Sequence, residues 1–156
     1  MSKIYDLVTS FWYRTMDHPL RLHSAFDNHR KDPVLTVVFL HGISATSTTW
    51  WTLLRDFDRD PHFRRVRVVT IDLLGFGKSP HASWMEYDYA EYNAALDHSL
   101  VALGISSPVI LVGHSMGALI AADYVTNFQP KANLQHLILV SPPVLMAKES
   151  ARLPDE

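Results

Sequence analysis

The sequence predicts an α/β fold, a mostly parallel sheet with helices on both faces, and three observations carry that prediction. Residues 34–40, 66–71, 108–112 and 137–140 are short and almost wholly apolar, the composition of strands buried on both faces of a parallel sheet. Longer stretches with helical patterning separate them, as repeated βαβ units require. Each strand segment also ends abruptly, in His41-Gly42, in Asp72, in Gly113 or in Ser141-Pro142-Pro143.

At the amino end, Ile4, Leu7, Val8, Phe11 and Trp12 fall at i, i+3, i+4, i+7 and i+8. That spacing makes residues 1–19 an amphipathic helical unit whose apolar face is expected to dock on something. Residues 20–26 alternate apolar and polar side chains like a half-buried strand, a hairpin or edge strand, and Asp27 to Pro33 supplies turn residues. Val34–Leu40 is the first buried strand. Ser47-Thr48-Thr49 is a plausible cap for a helix from Trp50 to Phe57, and Val66–Ile71 is the second buried strand. Gly75 to Pro80 holds too much Gly and Pro for regular structure. A helix is expected over Tyr87–Leu103, stopped by Gly104, then the third buried strand over Pro108–Val112. Met116–Phe128 reads as a helix ended before Pro130, and Leu137–Val140 as the fourth buried strand. The paired residues Trp12-Tyr13 and Trp50-Trp51, and Tyr87, Tyr89 and Tyr92, are expected to pack rather than to serve as stacking platforms.

Composition narrows the function classes. The chain has 156 residues, about one domain's worth, and its 47% hydrophobic content suits a buried core. Lys and Arg number 14 against 16 Asp and Glu, and a net charge of −2 offers no basic surface for a nucleic-acid backbone. The chain has no cysteine, which removes disulfides, thiolate metal sites and Cys nucleophiles. No apolar run approaches the ~20 residues of a spanning helix, and no signal peptide is visible, so no membrane partner and a cytoplasmic location are expected. The nine histidines include no H-E-x-x-H pattern, and Gly77-Lys78-Ser79 and Gly75-x-Gly77 fail as nucleotide motifs. No metal and no cofactor are expected.

In parallel sheets, ligands bind outside the carboxyl ends of the strands. The third buried strand runs into Gly113-His114-Ser115-Met116-Gly117, which matches G-x-S-x-G with a helix leaving it. That is the context of a nucleophile elbow, where a sharp strand-to-helix turn holds a serine above the sheet edge. Crowding two residues either side of Ser115 admits only glycine at Gly113 and Gly117. The N–H of Met116, at a helix N-terminus, is placed to face a developing oxyanion. A plainer alternative is that Ser115 merely caps the helix.

Two further loops complete a set. His41-Gly42-Ile43 follows the first buried strand, Trp50 stands eight residues after Gly42, and Asp72-Leu73-Leu74-Gly75-Phe76-Gly77-Lys78-Ser79 follows the second. With the elbow, these residues make the chain resemble the α/β-hydrolase superfamily over roughly residues 20–143, and its esterase, haloperoxidase and carbon–carbon hydrolase branch in the H-G-x7-W pattern. The resemblance implies that Ser115 is the nucleophile, that the N–H groups of Ile43 and Met116 form the oxyanion hole, and that Gly113, Gly117, His41, Gly42 and Asp72 are structural. His114 would be structural too. The substrate would be a small molecule, an ester, thioester, amide or related carbonyl.

A serine nucleophile needs a histidine base oriented by an acid. His136 is the one histidine after Ser115, and it sits at the entry of the last strand, some 13–17 Å from that strand's carboxyl end. Asp123 lies two turns up the helix, while Glu149, Asp155 and Glu156 occupy a polar tail. The resemblance therefore implies the front part of a longer fold, with residues 144–156 beginning a lid or forming a tail. Leu137–Val140 would then be an uncovered sheet edge open to association. The competing readings are a non-catalytic binding or interaction module, and an enzyme whose acid and base come from another polypeptide.

Overall fold

The computed structural model describes residues 3–16, 20–128 and 130–143. Five strands form one sheet in the order β1-β3-β2-β4-β5: β1 (Ser24–Asp27), β2 (Leu35–Leu40), β3 (Val66–Ile71), β4 (Val109–His114) and β5 (Leu134–Val140). β1 runs antiparallel to β3, and every other pairing is parallel. The helices are α1 (Lys3–Met16), α2 (Trp51–Arg59), α3 (Tyr89–Ala102) and α4 (Met116–Thr126).

Alternation along the strands sorts the core onto two faces, because successive side chains point to opposite sides. Val38 and Leu40 of β2, with Val69 and Ile71 of β3, pack with Leu96 and Leu100 of α3 and Ile120 and Tyr124 of α4. Val37 and Phe39, with Val66, Val68 and Val112, pack on the other side with Trp50 and Leu54. The continuous apolar runs were legible as two-faced burial for this reason. β1 is the expected edge strand, held by the Asp27–Arg67 ion pair at 2.6 Å and by the Asn28 side chain bonding both the Val68 N–H and the Val66 carbonyl.

The helix ends have local causes. Asp88 caps α3 by accepting from the Glu91 N–H at 2.9 Å, while Glu91 reaches back to accept from the Tyr87 N–H at 2.6 Å. Residues 47–50 form a 3₁₀ turn ahead of α2, and its cap is Thr46, whose hydroxyl accepts from the Thr48 N–H. The Ser47-Thr48-Thr49 cap expected from sequence is thus one residue late.

Three expectations are corrected. Among the described residues nothing covers the apolar face of α1: Ile4, Leu7, Val8, Phe11 and Trp12 are exposed, and the helix is held by its opposite face. On that face the Ser83 hydroxyl donates to Asp6 at 2.8 Å, the Trp84 indole N–H donates to Thr9 at 3.2 Å, and the Tyr13 ring lies 5.1 Å from Trp84. Trp51 and Tyr89 are also exposed, whereas Trp50 and Tyr92 are buried. β5, read from composition as buried, begins three residues earlier than expected and leaves Ile138, Leu139 and Val140 exposed.

The exposure of β5 follows from its place at the sheet edge, beside an apolar groove of about 340 Å³ lined by Phe39, Trp50, Ile110, Val112, Ile138 and Val140. We propose that chains associate along this strand, as exposed apolar edges do. Ile138→Lys is expected to shift the chain to smaller species in sedimentation velocity; an unchanged distribution would place the contact elsewhere. The region expected over residues 144–156 lies outside the described residues, as do Glu149, Asp155 and Glu156.

Candidate active site

β4 passes into α4 through Gly113-His114-Ser115-Met116-Gly117 with almost no intervening chain. Ser115 takes φ 51° and ψ −118°, a left-handed conformation that costs a non-glycine residue roughly 1–3 kcal/mol and persists only where its surroundings enforce it. The enforcement comes from the two glycines. A Cβ on Gly113 would collide with the backbone of Gly117 and Ala118, and one on Gly117 would collide with the His41 and Leu40 carbonyls. These close approaches press α4 against the ends of β2 and β4.

Ser115 occupies the cap position of α4, yet its hydroxyl makes no capping hydrogen bond. The plain capping role is therefore not the one Ser115 plays. Its own N–H donates to the Val140 carbonyl at 3.0 Å and its carbonyl accepts from the Ala118 N–H at 2.9 Å, which fixes the backbone while leaving the half-buried hydroxyl unused. The Met116 N–H opens α4, so the helix itself provides it no acceptor.

The loop after β2 is brought to the same point. A Cβ on Gly42 would lie 3.0 Å from the Ser115 Cβ and 3.1 Å from His114 Nδ1. Ile43 follows directly, with its side chain exposed. His41 is fully buried and fixes this loop: its Nε2 accepts from the Leu73 N–H at 2.9 Å, so Nδ1 carries the proton and donates to the Gly42 carbonyl at 2.8 Å. Trp50, the last member of the H-G-x7-W pattern, meets the His114 ring edge-on at 6.3 Å and so ties its own turn to the elbow.

Asp72 braces two turns at once. It accepts from the Ser47 N–H at 2.9 Å and from the Lys78 N–H at 3.1 Å, joining the turn after the His41 loop to the loop after β3. Burial works to raise its pKa, but those two N–H groups and the nearby His41 outweigh it and hold the carboxyl below its ordinary 3.8. Sequence reading missed Ser79, whose hydroxyl donates to the Asp72 carbonyl and accepts from the His23 N–H at 2.8 Å. The serine at the end of the D-x-x-G-x-G-x-S loop was the available signal.

His41 is pushed below its ordinary 6.5 chiefly by burial, against the opposing pull of the Gly42 carbonyl and Asp72. A lowered folded value means the unfolded chain takes up a proton that the folded one refuses, so stability is complete above 6.5 and falls as pH drops through the folded value. Asp72 adds the same sign of change below 3.8. Urea unfolding midpoints are expected to decline as pH falls below 6.5, and His41→Gln to flatten the upper part of that decline. An equal slope in the variant would contradict this account.

His136 stands opposite Ile110 at the amino end of β4, whereas His114 stands opposite Val140. Four residues at ~3.3 Å each keep His136 roughly 13 Å from the elbow, as expected from sequence. Asp123 is occupied by the side-chain amides of Asn93 at 2.6 Å and Asn127 at 2.5 Å. Beside the elbow, Met116 and Ile120 line an open, mostly apolar groove of about 450 Å³ with Tyr87, Tyr89 and Tyr92.

Comparison with known proteins gives a consistent picture. Residues 36–155 match the sequence model of a family described as the alpha/beta hydrolase fold. A probable lysophospholipase of Arabidopsis thaliana, BODYGUARD 5, is 30% identical over 112 residues, covering 71% of this chain and 25% of that protein. A putative 2-succinyl-6-hydroxy-2,4-cyclohexadiene-1-carboxylate synthase of Haemophilus influenzae is 32% identical over 108 residues, covering 68% of this chain and 40% of that protein. A bromoperoxidase from Bacillus anthracis superimposes with a TM-score of 0.63 at 26% identity, covering 80% of this chain and 41% of that structure. The chain spans about a quarter of the length of the plant lysophospholipase relatives it matches.

Proposed function

Because the chain belongs to the α/β-hydrolase family, we propose that Ser115 is the nucleophile of a serine hydrolase acting on an ester or related carbonyl compound. One observation carries this reading: a serine held at φ 51° whose hydroxyl is withheld from capping the helix it precedes. Ser115 Oγ attacks the carbonyl carbon, the carbonyl oxygen becomes an oxyanion facing the Ile43 and Met116 N–H groups, and the leaving group departs from the tetrahedral species. Water then releases the acyl-enzyme. The open groove beside Met116 suits an apolar acyl or alkyl part, in keeping with a relative named a probable lysophospholipase.

Proton transfer needs a base that His136 is too distant to supply. In our reading the acid and histidine lie beyond residues 1–156, in a longer chain or in a second polypeptide, and the 156 residues supply the nucleophile and its oxyanion hole. Among the described residues no helix is long and apolar enough to cross a membrane.

A fluorophosphonate probe tests the reading, since it reacts with activated serines. Labelling of the wild-type chain that is lost in Ser115→Ala supports a nucleophile. Intact folding without labelling, on the 156-residue chain and on any longer or co-purifying form, favours the binding module instead.

A further inference from the structure

α1 is turned inside out for a helix of a water-soluble domain. Its bonded, half-buried face is polar, with Asp6 held by Ser83 and Thr9 by the Trp84 indole, while the apolar stripe faces away from the protein. Ile4 and Leu7 are 73% and 72% exposed, so the stripe gains nothing from the fold that carries it. At 1.5 Å per residue the 14 residues extend about 21 Å, too short to cross a bilayer and suited to lying in its surface.

Charge selects the occupant. Asp6 is the one acid of the helix and it lies on the inward face against Ser83. Lys3, exposed in the first turn, falls on one edge of the apolar stripe by helical periodicity. An apolar face bordered by the Lys3 ammonium, bearing Tyr5 and Trp12 and no acid, is the complement of an anionic lipid surface. α1 also rests on the Ser83–Trp84 segment of the loop whose Tyr87 lines the groove beside Met116. We propose that α1 seats this protein on an anionic bilayer, with that groove close to the lipid. The proposal departs from the expectation of no membrane partner, which rested on the lack of a spanning run and of a signal peptide; a helix lying on the surface needs neither.

Cosedimentation of the 156-residue chain with large unilamellar vesicles tests this, using phosphatidylcholine alone and phosphatidylcholine with about a third phosphatidylglycerol. Binding is expected to the anionic vesicles and to be at least about tenfold weaker to the zwitterionic ones. The double substitution Leu7→Glu/Phe11→Glu alters only exposed positions and is expected to lower binding by more than about tenfold, with an unchanged circular dichroism spectrum. Lys3→Glu is expected to weaken binding about fivefold or more, and added salt to weaken the wild type. Equal vesicle binding by the double variant, or binding insensitive to both salt and Lys3→Glu, would overturn the proposal. So would a chain that ignores vesicles and forms a dimer dissolved by the double substitution, which would make a second copy the occupant. None of these readouts depends on whether Ser115 reacts, so the outcome stands apart from that of the proposed chemistry.

Discussion

Gly117→Ala is expected to destabilise the chain by about 3 kcal/mol or more, because the added methyl would meet the Leu40 and His41 carbonyls at the end of β2 and nothing flexible stands there to yield. Gly113→Ala should behave similarly, its methyl meeting the backbone of Gly117 and Ala118. For a domain of this length each kcal/mol moves Tm by roughly 2–4 °C, so thermal unfolding followed by circular dichroism should show a drop of roughly 6–12 °C. The cause is steric, from the joint of β4 and α4 against the end of β2. A shift under about 2 °C for both variants would mean that the elbow is looser than the geometry requires.

Ser115→Ala is expected to act in the opposite pattern, leaving stability nearly unchanged and removing the chemistry. In the form of the protein that carries a base, kcat/KM for an activated ester should fall by about a thousandfold or more, the scale on which loss of a nucleophile is felt. Ser115→Gly makes the complementary point. It removes the Cβ that makes φ 51° costly and should stabilise the chain by about 1 kcal/mol while abolishing reactivity. A serine whose replacement by glycine adds stability is being held in place for a reason other than the fold.

The parts of the fold that were legible in the sequence are those where one physical requirement acts alone. β2, β3 and β4 are buried on both faces, so their composition announced them to within a residue or two at each end. Gly113 and Gly117 were legible because close backbone approach excludes every other residue. Asp72 follows directly on a buried strand, and its carboxylate ties two turns together through the Ser47 and Lys78 N–H groups.

What was not legible depends on which of two surfaces meets the core. Periodicity identified α1 as amphipathic but could not say that Asp6, Thr9 and Tyr13 would find Ser83 and Trp84, residues more than 70 positions away, and so turn the apolar stripe outward. Adjacent Trp50 and Trp51 look alike in sequence, and only the former meets Phe39 and His114. β5 extends back to Leu134 because β4 supplies partners for Leu134 and His136, a pairing that the polar Gln135-His136 pair concealed.

The central claim is that the elbow presents Ser115 Oγ as a nucleophile, and mapping the phosphonate adduct by tandem mass spectrometry tests it most directly. The account predicts a single adduct on the peptide containing Gly113 to Gly117, assigned to Ser115 and absent from Ser115→Ala. An adduct on another residue, or equal labelling of the alanine variant, would contradict it.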